Sequence, residues 1–466
     1  MKIRFLFLLY IIGIPLVSAQ IGSDMRNQKV DGYRGIWFEL NQKFPYGDKY
    51  SGGLGTYTAK HIPLAIYSTE ANKTFFVYGG TTQKDERHLL CMVGTYDHNT
   101  GLVSKPTVAY DKQEVDDPHD NPTILIDDEG YLWIFLSGRG TKREGIKLKS
   151  NRPFSIDSFR IMEKSEFTYP QIWNTNKGFF HFFTKYTGVR ELYFESSLDE
   201  ETWQPTRKLA GIPSGKDNRS GHYQVSNQFG DGEILGTFFN RHTNGDVDTR
   251  SDLYYVQTHN HGTSWTTVDG NQIPIPVDNI ENATRVIDYH SQNKNVYVKD
   301  MGFDRVGNPV CLYITSGGYE PGPDNAPYEW RVTFWNGTEW TTKNVCTSDH
   351  NYDMGSIFIA DDVWKIVGPT ENGLQKYGVG GEIAIWVSTN SGRDWEKEKV
   401  VTKNSTLNNA YVRRPMQSKA PFSFFWANGN PDKLSISELF FGDFSGDVYR
   451  LPYTMTEEWQ KPIKVY

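Results

Sequence analysis

In Asp117-Pro118-His119-Asp120-Asn121-Pro122 an imidazole stands between two carboxylates, with a proline on either side. Proline fixes φ, so this loop holds its histidine in one place. Other loops between apolar runs carry comparable groups: Tyr96-Asp97-His98-Asn99-Thr100-Gly101, Thr168-Tyr169-Pro170, Thr184-Lys185-Tyr186, Gly221-His222-Tyr223, Asp349-His350-Asn351 and Tyr411-Val412-Arg413-Arg414. Imidazoles and phenols move protons, and a lysine or arginine neutralises an anion. Each group also has a structural reading. His98 could bond its own turn, Tyr169 could be a buried ring with a satisfied hydroxyl, and Lys185 could be solvated. His350 and the Arg413-Arg414 pair read as bonding loop carbonyls. The combination, at blade-like offsets, is what points to a site.

Loops of this kind need a rigid β scaffold, and the composition favours one: Gly 43, Tyr 27, Phe 27 and Trp 13. Thr258-His259-Asn260-His261-Gly262-Thr263-Ser264-Trp265 and Ser388-Thr389-Asn390-Ser391-Gly392-Arg393-Asp394-Trp395 match the Asp-box pattern S/T-x-D/N-x-G-x-x-W. Looser copies end at Trp203 and Trp340. These four tryptophans stand 62, 75 and 55 residues apart, about 64 per unit, which suits four strands with long loops. The chain beyond residue 19 then holds about seven units. We expect an all-β chain, a single seven-bladed β-propeller over 20–466, in preference to a pair of β-sandwiches.

Lys2 and Arg4, the apolar run from Phe5 to Val17 and the small residues Val17-Ser18-Ala19 read as a secretory signal peptide over 1–19. No later stretch is apolar enough to span a bilayer, so an exported, periplasmic or secreted protein is expected. Three cysteines, Cys91, Cys311 and Cys346, are too few for a disulfide scaffold. The formal charge of −7 becomes −9 without Lys2 and Arg4, which excludes a general nucleic-acid binder. An anionic substrate would need positive charge concentrated locally.

Gly32-Tyr33-Arg34-Gly35-Ile36-Trp37-Phe38, Gly52-Gly53-Leu54-Gly55-Thr56-Tyr57, the Tyr96 and Asp117 loops, Thr168 to Trp173, His350 to Gly355 and Tyr411 to Pro415 together resemble the BNR-repeat family of propeller enzymes. That family includes ulvan lyases and related uronic-acid oligosaccharide dehydratases. The resemblance implies a carbon–oxygen lyase acting on uronic acid residues of ulvan-type sulfated poly- or oligosaccharides. The C4 substituent, a sugar or water at a non-reducing end, would leave by β-elimination and give a 4,5-unsaturated uronyl residue. Position by position, it implies His98, His119 and Tyr169 as catalytic groups, with Tyr169 the base. Lys185 and Tyr223 would bind substrate, Lys185 standing where the lyase pattern has arginine. Arg190 and Arg241 follow as cations should Lys185 prove solvated.

A rhamnosidase-type glycoside hydrolase and a non-catalytic glycan-binding propeller are the alternatives; the arginine triad of a sialidase is not convincingly placed. The expected partner is an anionic polysaccharide or oligosaccharide, the expected assembly a monomer, and no cofactor is expected for catalysis. His290 and Cys311, on neighbouring expected strands, are candidates for a structural zinc site, without the compact ligand spacing that would support it.

Overall fold

The computed structural model describes residues 24–83, 86, 88–186, 189–214 and 219–466. The expected signal peptide and residues 20–23 lie outside them. Among the described residues there are only strands and short 3-10 turns, and no helix is long and apolar enough to cross a membrane.

Alternating apolar residues produce seven successive antiparallel units, at 65–111, 122–165, 168–210, 224–287, 295–348, 356–400 and 408–464. Blade 2 shows the local logic. Pro122–Ile126 pairs with Leu132–Leu136, Thr123 opposite Phe135, across a turn in which the Asp127 carboxylate accepts from the amides of Glu129 and Tyr131. Gly130, at φ +85, supplies the left-handed residue that this turn needs. The faces bury large rings between blades: Trp133 lies 5.5 Å from Phe179 across blades 2 and 3, and Trp265 lies 5.1 Å from Phe194 across blades 3 and 4. Burying each such side chain contributes about 1.5–3 kcal/mol.

The four box-like turns occupy one position. Residues 198–203, 259–264, 336–339 and 389–395 each join the third strand of a blade to its outer edge, in blades 3 to 6. The two full copies make the same bonds: Thr258 and Ser388 accept from the amides of Gly262 and Gly392 at 3.0 and 2.9 Å, and Asn260 and Asn390 accept from the amides of Ser264 and Asp394. The up-and-down strand order places these turns and the first hairpin turns at one end of the ring. The second-to-third turns and the connections between blades lie at the other end.

The ring closes between blades 7 and 1. Met416, beyond the inner strand Asn408–Arg413, bridges Ile66 of the inner strand Ala65–Ser68. On the rim, Trp459–Gln460 pairs with Leu102–Ser104, and Lys29 bridges Thr107, so both ends of the described chain add to blade 1. The segment 37–61 leaves this seam and runs to the end of the ring that carries the blade connections, where it contributes Phe38, Lys49, Tyr50, Tyr57 and Lys60 to a cavity.

Candidate active site

That cavity, about 230 Å3, sits over the inner strands and is lined by loops from blades 1 to 7 together with the 37–61 segment. His119, Tyr169 and Tyr223 all line it. His119 belongs to a 3-10 turn, Pro118–Asp120, capped by Asp117, whose carboxylate accepts from the His119 amide at 3.0 Å and from the ring Nδ1. Nδ1 is therefore the protonated nitrogen, and Nε2 faces the hydroxyls of Tyr57 at 2.9 Å and Tyr50 at 3.1 Å. Burial holds the His119 imidazole below its ordinary value although Asp117 pulls the other way. Asp117 is half-buried, which raises its carboxyl, but His119 and Arg139 more than offset that and keep it ionised. Arg143 adds a bond at 2.8 Å.

Tyr169 is delivered by a bulge. Between Thr168 and Gln171 the pairing of Thr168–Thr175 with Gly178–Tyr186 slips, and Tyr169 adopts φ +55. A bulky residue there costs on the order of 1–3 kcal/mol, the kind of strain that gathers at functional positions. Ser137 Oγ accepts from its amide at 3.0 Å, and its hydroxyl accepts from that of Tyr186 at 2.9 Å. The Tyr169 ring lies 5.7 Å from Tyr223 and 6.1 Å from Tyr186.

The three phenols are not equivalent. Burial, Tyr186 and Tyr223 push Tyr169 well above its ordinary value, and burial raises Tyr186. Burial also opposes ionisation of Tyr223, but Arg190, Arg250, the Tyr169 hydroxyl and Arg139 outweigh it and hold that phenol below its ordinary value. A negative charge in this trio therefore settles on Tyr223, with Tyr169 hydrogen-bonded to it.

Lys185 and His98 do not reach the cavity. Side chains alternate along Gly178–Tyr186, so the strand that turns Tyr186 inward turns Lys185 away; its ammonium bonds Thr206 Oγ1 at 3.2 Å and lies over the Tyr193 ring. The cation beside the phenols is Arg190, paired with Tyr186 across the turn and 4.9 Å from its ring. Arg241 is bound to Asp252 at 2.6 Å. His98 lies in the third-to-fourth turn of blade 1, at the opposite end of the ring, bonded to Thr74 Oγ1 at 2.8 Å and packed on Tyr67 and Tyr96. Sequence reasoning missed Tyr50, Lys60, Arg139 and Arg250, isolated residues that no local motif marks, and in Thr184-Lys185-Tyr186 it gave the role to Lys185 and none to Tyr186.

His290 and Cys311 do not form a ligand set. His290 is exposed in the turn ahead of Asn295–Phe303, whereas Cys311 is buried within Pro309–Ser316. Among the described residues no group of three or more His, Cys, Asp or Glu is placed to hold a metal. All three cysteines are unpaired.

The sequence pattern of a BNR repeat-containing family matches residues 74–348. Ulvan Lyase-PL25 of Pseudoalteromonas sp. (strain PLSV) is 22% identical over 356 residues, covering 67% of this chain and 70% of that protein. An ulvan lyase of Alteromonas sp. (strain LOR) is 22% identical over 292 residues, covering 54% of this chain and 59% of the relative's length. The solved structure of a PL25 ulvan lyase bound to -[GlcA(1-4)Rha3S]- superposes with a TM-score of 0.69 at 17% identity, over 89% of this chain and 94% of the other. That of polysaccharide lyase Uly1 superposes with a TM-score of 0.61 at 10% identity, over 90% and 98%.

Proposed function

The chain belongs to the BNR repeat-containing family, and from that premise we propose that it is a carbon–oxygen lyase acting on uronic acid residues of ulvan-type sulfated poly- or oligosaccharides. The observation that carries the reading is the Tyr169–Tyr186–Tyr223 cluster set among Arg139, Arg190 and Arg250. Elimination from a uronate needs a cation at the carboxylate, an acceptor for the C5 proton and a donor for the C4 oxygen. The resemblance to the two curated ulvan lyases agrees with that requirement.

Arg190, with Arg139 beside it, takes the carboxylate and stabilises the charge that develops on it when the C5–H bond breaks. Tyr169 accepts the C5 proton while its own proton passes to Tyr223. The C4–O bond then breaks, the double bond forms between C4 and C5, and the departing oxygen takes a proton back from Tyr169. His119, locked by Asp117, fixes Tyr50 and Tyr57 as the hydroxyl-bearing wall against which the sugar lies. The leaving group is the next sugar within a chain, or water where the uronyl residue is terminal. No step needs a metal or an organic cofactor.

A glycoside hydrolase typically uses a pair of carboxyl groups. The cavity is lined by one, Asp117, already engaged by His119, Arg139 and Arg143. Export suits the reading, since a polysaccharide is met outside the cell and the features of residues 1–19 are those of a leader. The test is incubation with ulvan and with short uronyl-rhamnose oligosaccharides while following absorbance of the new C4=C5 bond. A rise on the polymer means chain cleavage, and a rise on saturated short oligosaccharides alone means loss of water. Saccharide release without absorbance overturns the lyase reading.

A further inference from the structure

Residues 54–62 form no strand of their own, yet they carry Tyr57 and Lys60 into the cavity. Groups from three blades hold them there. In blade 7 the buried Arg413 guanidinium donates to the carbonyls of Thr58 and His61. In blade 3 the Pro170 carbonyl accepts from the Ile62 amide at 3.1 Å, and the Ile172 amide donates to the Ile62 carbonyl at 3.0 Å. The segment is thus fastened to the bulge that delivers Tyr169. The third holder is Asn121, fully buried and directly ahead of the inner strand Pro122–Ile126 of blade 2. Its side-chain amide donates to the carbonyls of Tyr57 at 2.7 Å, Leu54 at 3.0 Å and Gly55 at 3.3 Å.

We propose that Asn121 is a positioning residue for the elimination, setting the Tyr57 hydroxyl against His119 Nε2; this rests on the lyase reading for the reaction, though not for the geometry. Asn121 closes the same 3-10 turn that presents His119, its backbone amide bonded to the Pro118 carbonyl at 3.2 Å. One turn therefore carries both the imidazole and the amide that grips the segment bearing its phenol partner, 2.9 Å from Nε2. The linkage is short and stiff. A single residue separates His119 from Asn121, the flanking prolines fix φ on either side, and the shortest amide bond goes to Tyr57 itself. Displacing a group in an active site by about 1 Å is enough to cost on the order of a hundredfold in rate.

The amide has one orientation open to it. Its Oδ1 lies beside Gly79, where a Cβ would stand 2.0 Å away, and has no donor among the described residues. Turned over, the amide would set its oxygen against three carbonyls and its N–H groups against no acceptor. A buried oxygen without a donor is costly, and the bonds from the two N–H groups to 54–57 offset it.

A double-mutant cycle tests the proposal, read as kcat from C4=C5 absorbance. Asn121→Ala lowers kcat at least about tenfold with KM within about threefold, and Tyr57→Phe alone lowers kcat at least about fivefold. In the Asn121→Ala background Tyr57→Phe costs less than about twofold, because the hydroxyl it removes is no longer held. An equal loss in both backgrounds overturns the proposal, since a brace that serves stability alone leaves the two effects independent. Asn121→Asp keeps the shape and sets a carboxylate against three carbonyls. Burial and those dipoles raise its pKa, and protonation returns one donor, so kcat relative to wild type rises as pH falls from about 9 to about 5. A ratio near one throughout overturns the proposal as well. Magnetic resonance of nitrogen-labelled histidine needs no substrate: the His119 Nε2 signal, shifted in the wild type by its phenol bonds, moves towards that of an unbonded nitrogen in Asn121→Ala. An unmoved signal counts against the proposal. If the wild type develops no C4=C5 absorbance, the lyase reading fails, and the histidine spectrum still decides whether Asn121 sets this contact.

Discussion

Tyr169→Phe removes one oxygen and nothing else, and the structure predicts very different effects on stability and on turnover. Phenylalanine keeps the ring packing against Tyr223 and His119 and makes the same backbone demand at φ +55, so the strain of that position is unchanged. The losses are the acceptor for the Tyr186 hydroxyl, a neutral hydrogen bond worth about 1 kcal/mol, and the donor to Tyr223, a bond to a charged group worth about 1.5–3 kcal/mol. Unfolding entropy near 2.1 cal/mol/K per residue gives a chain of 466 residues about 1 kcal/mol/K, so the melting temperature should fall by roughly 2–4 °C. If the oxygen carries the proton, kcat should fall at least about a hundredfold, equivalent to about 2.7 kcal/mol of barrier. Initial rates from C4=C5 absorbance and a thermal melt on the same preparation read both quantities. A variant within tenfold of wild-type kcat at an unchanged melting temperature refutes the assignment of the proton to Tyr169.

Lys185→Ala should stay within about threefold of wild type on a charged uronate, because that ammonium bonds Thr206 on the far side of its strand. Arg190→Ala should lose at least about a hundredfold, and methyl-esterifying the substrate should narrow its gap to wild type; the opposite order of the two variants would return the carboxylate to Lys185. His88 is pushed up to about 9 by Asp111 and Glu86 on either side of its ring. Its folded value lies above the unfolded 6.5, so its stabilisation is complete below pH 6.5 and is lost as pH rises through 9. His88→Gln should therefore lower the melting temperature at pH 6 and leave it unchanged at pH 10, as thermal melts at the two pH values would show.

The scaffold was more legible in the sequence than the site. Repeating tryptophans gave the unit length because an Asp box fixes a turn by short-range bonds, from Thr258 to Gly262 and from Ser388 to Gly392, which any local pattern displays. Blades 1, 2 and 7 have no clear box, and their number came by extrapolation. His119 was visible because its prolines and carboxylates are its neighbours in the chain. Lys185 was misplaced by a single residue of alternation, since the bulge at Tyr169 and the turn before Arg190 decide which face each side chain takes. His98 sat in a plausible loop at the other end of a blade, which only the strand order reveals. The contributions of Tyr50, Tyr57 and Lys60 depend on how 37–61 crosses the ring, a long-range fact with no local signature.

The seam between blades 7 and 1 has a consequence for when this protein can begin to work. Tyr411 comes from blade 7, Tyr50 and Tyr57 from the segment ahead of blade 1, and Trp459–Gln460, beyond the strands of blade 7 that surround the channel, secures the edge of blade 1. A growing polypeptide can shape blades 2 to 6 from near neighbours, yet it holds only a partial cavity until blade 7 has been made. Such distant pairing carries a loop-closure penalty and slows folding. Catalytic competence is thus a late event in the life of each molecule, gated by the arrival of blade 7.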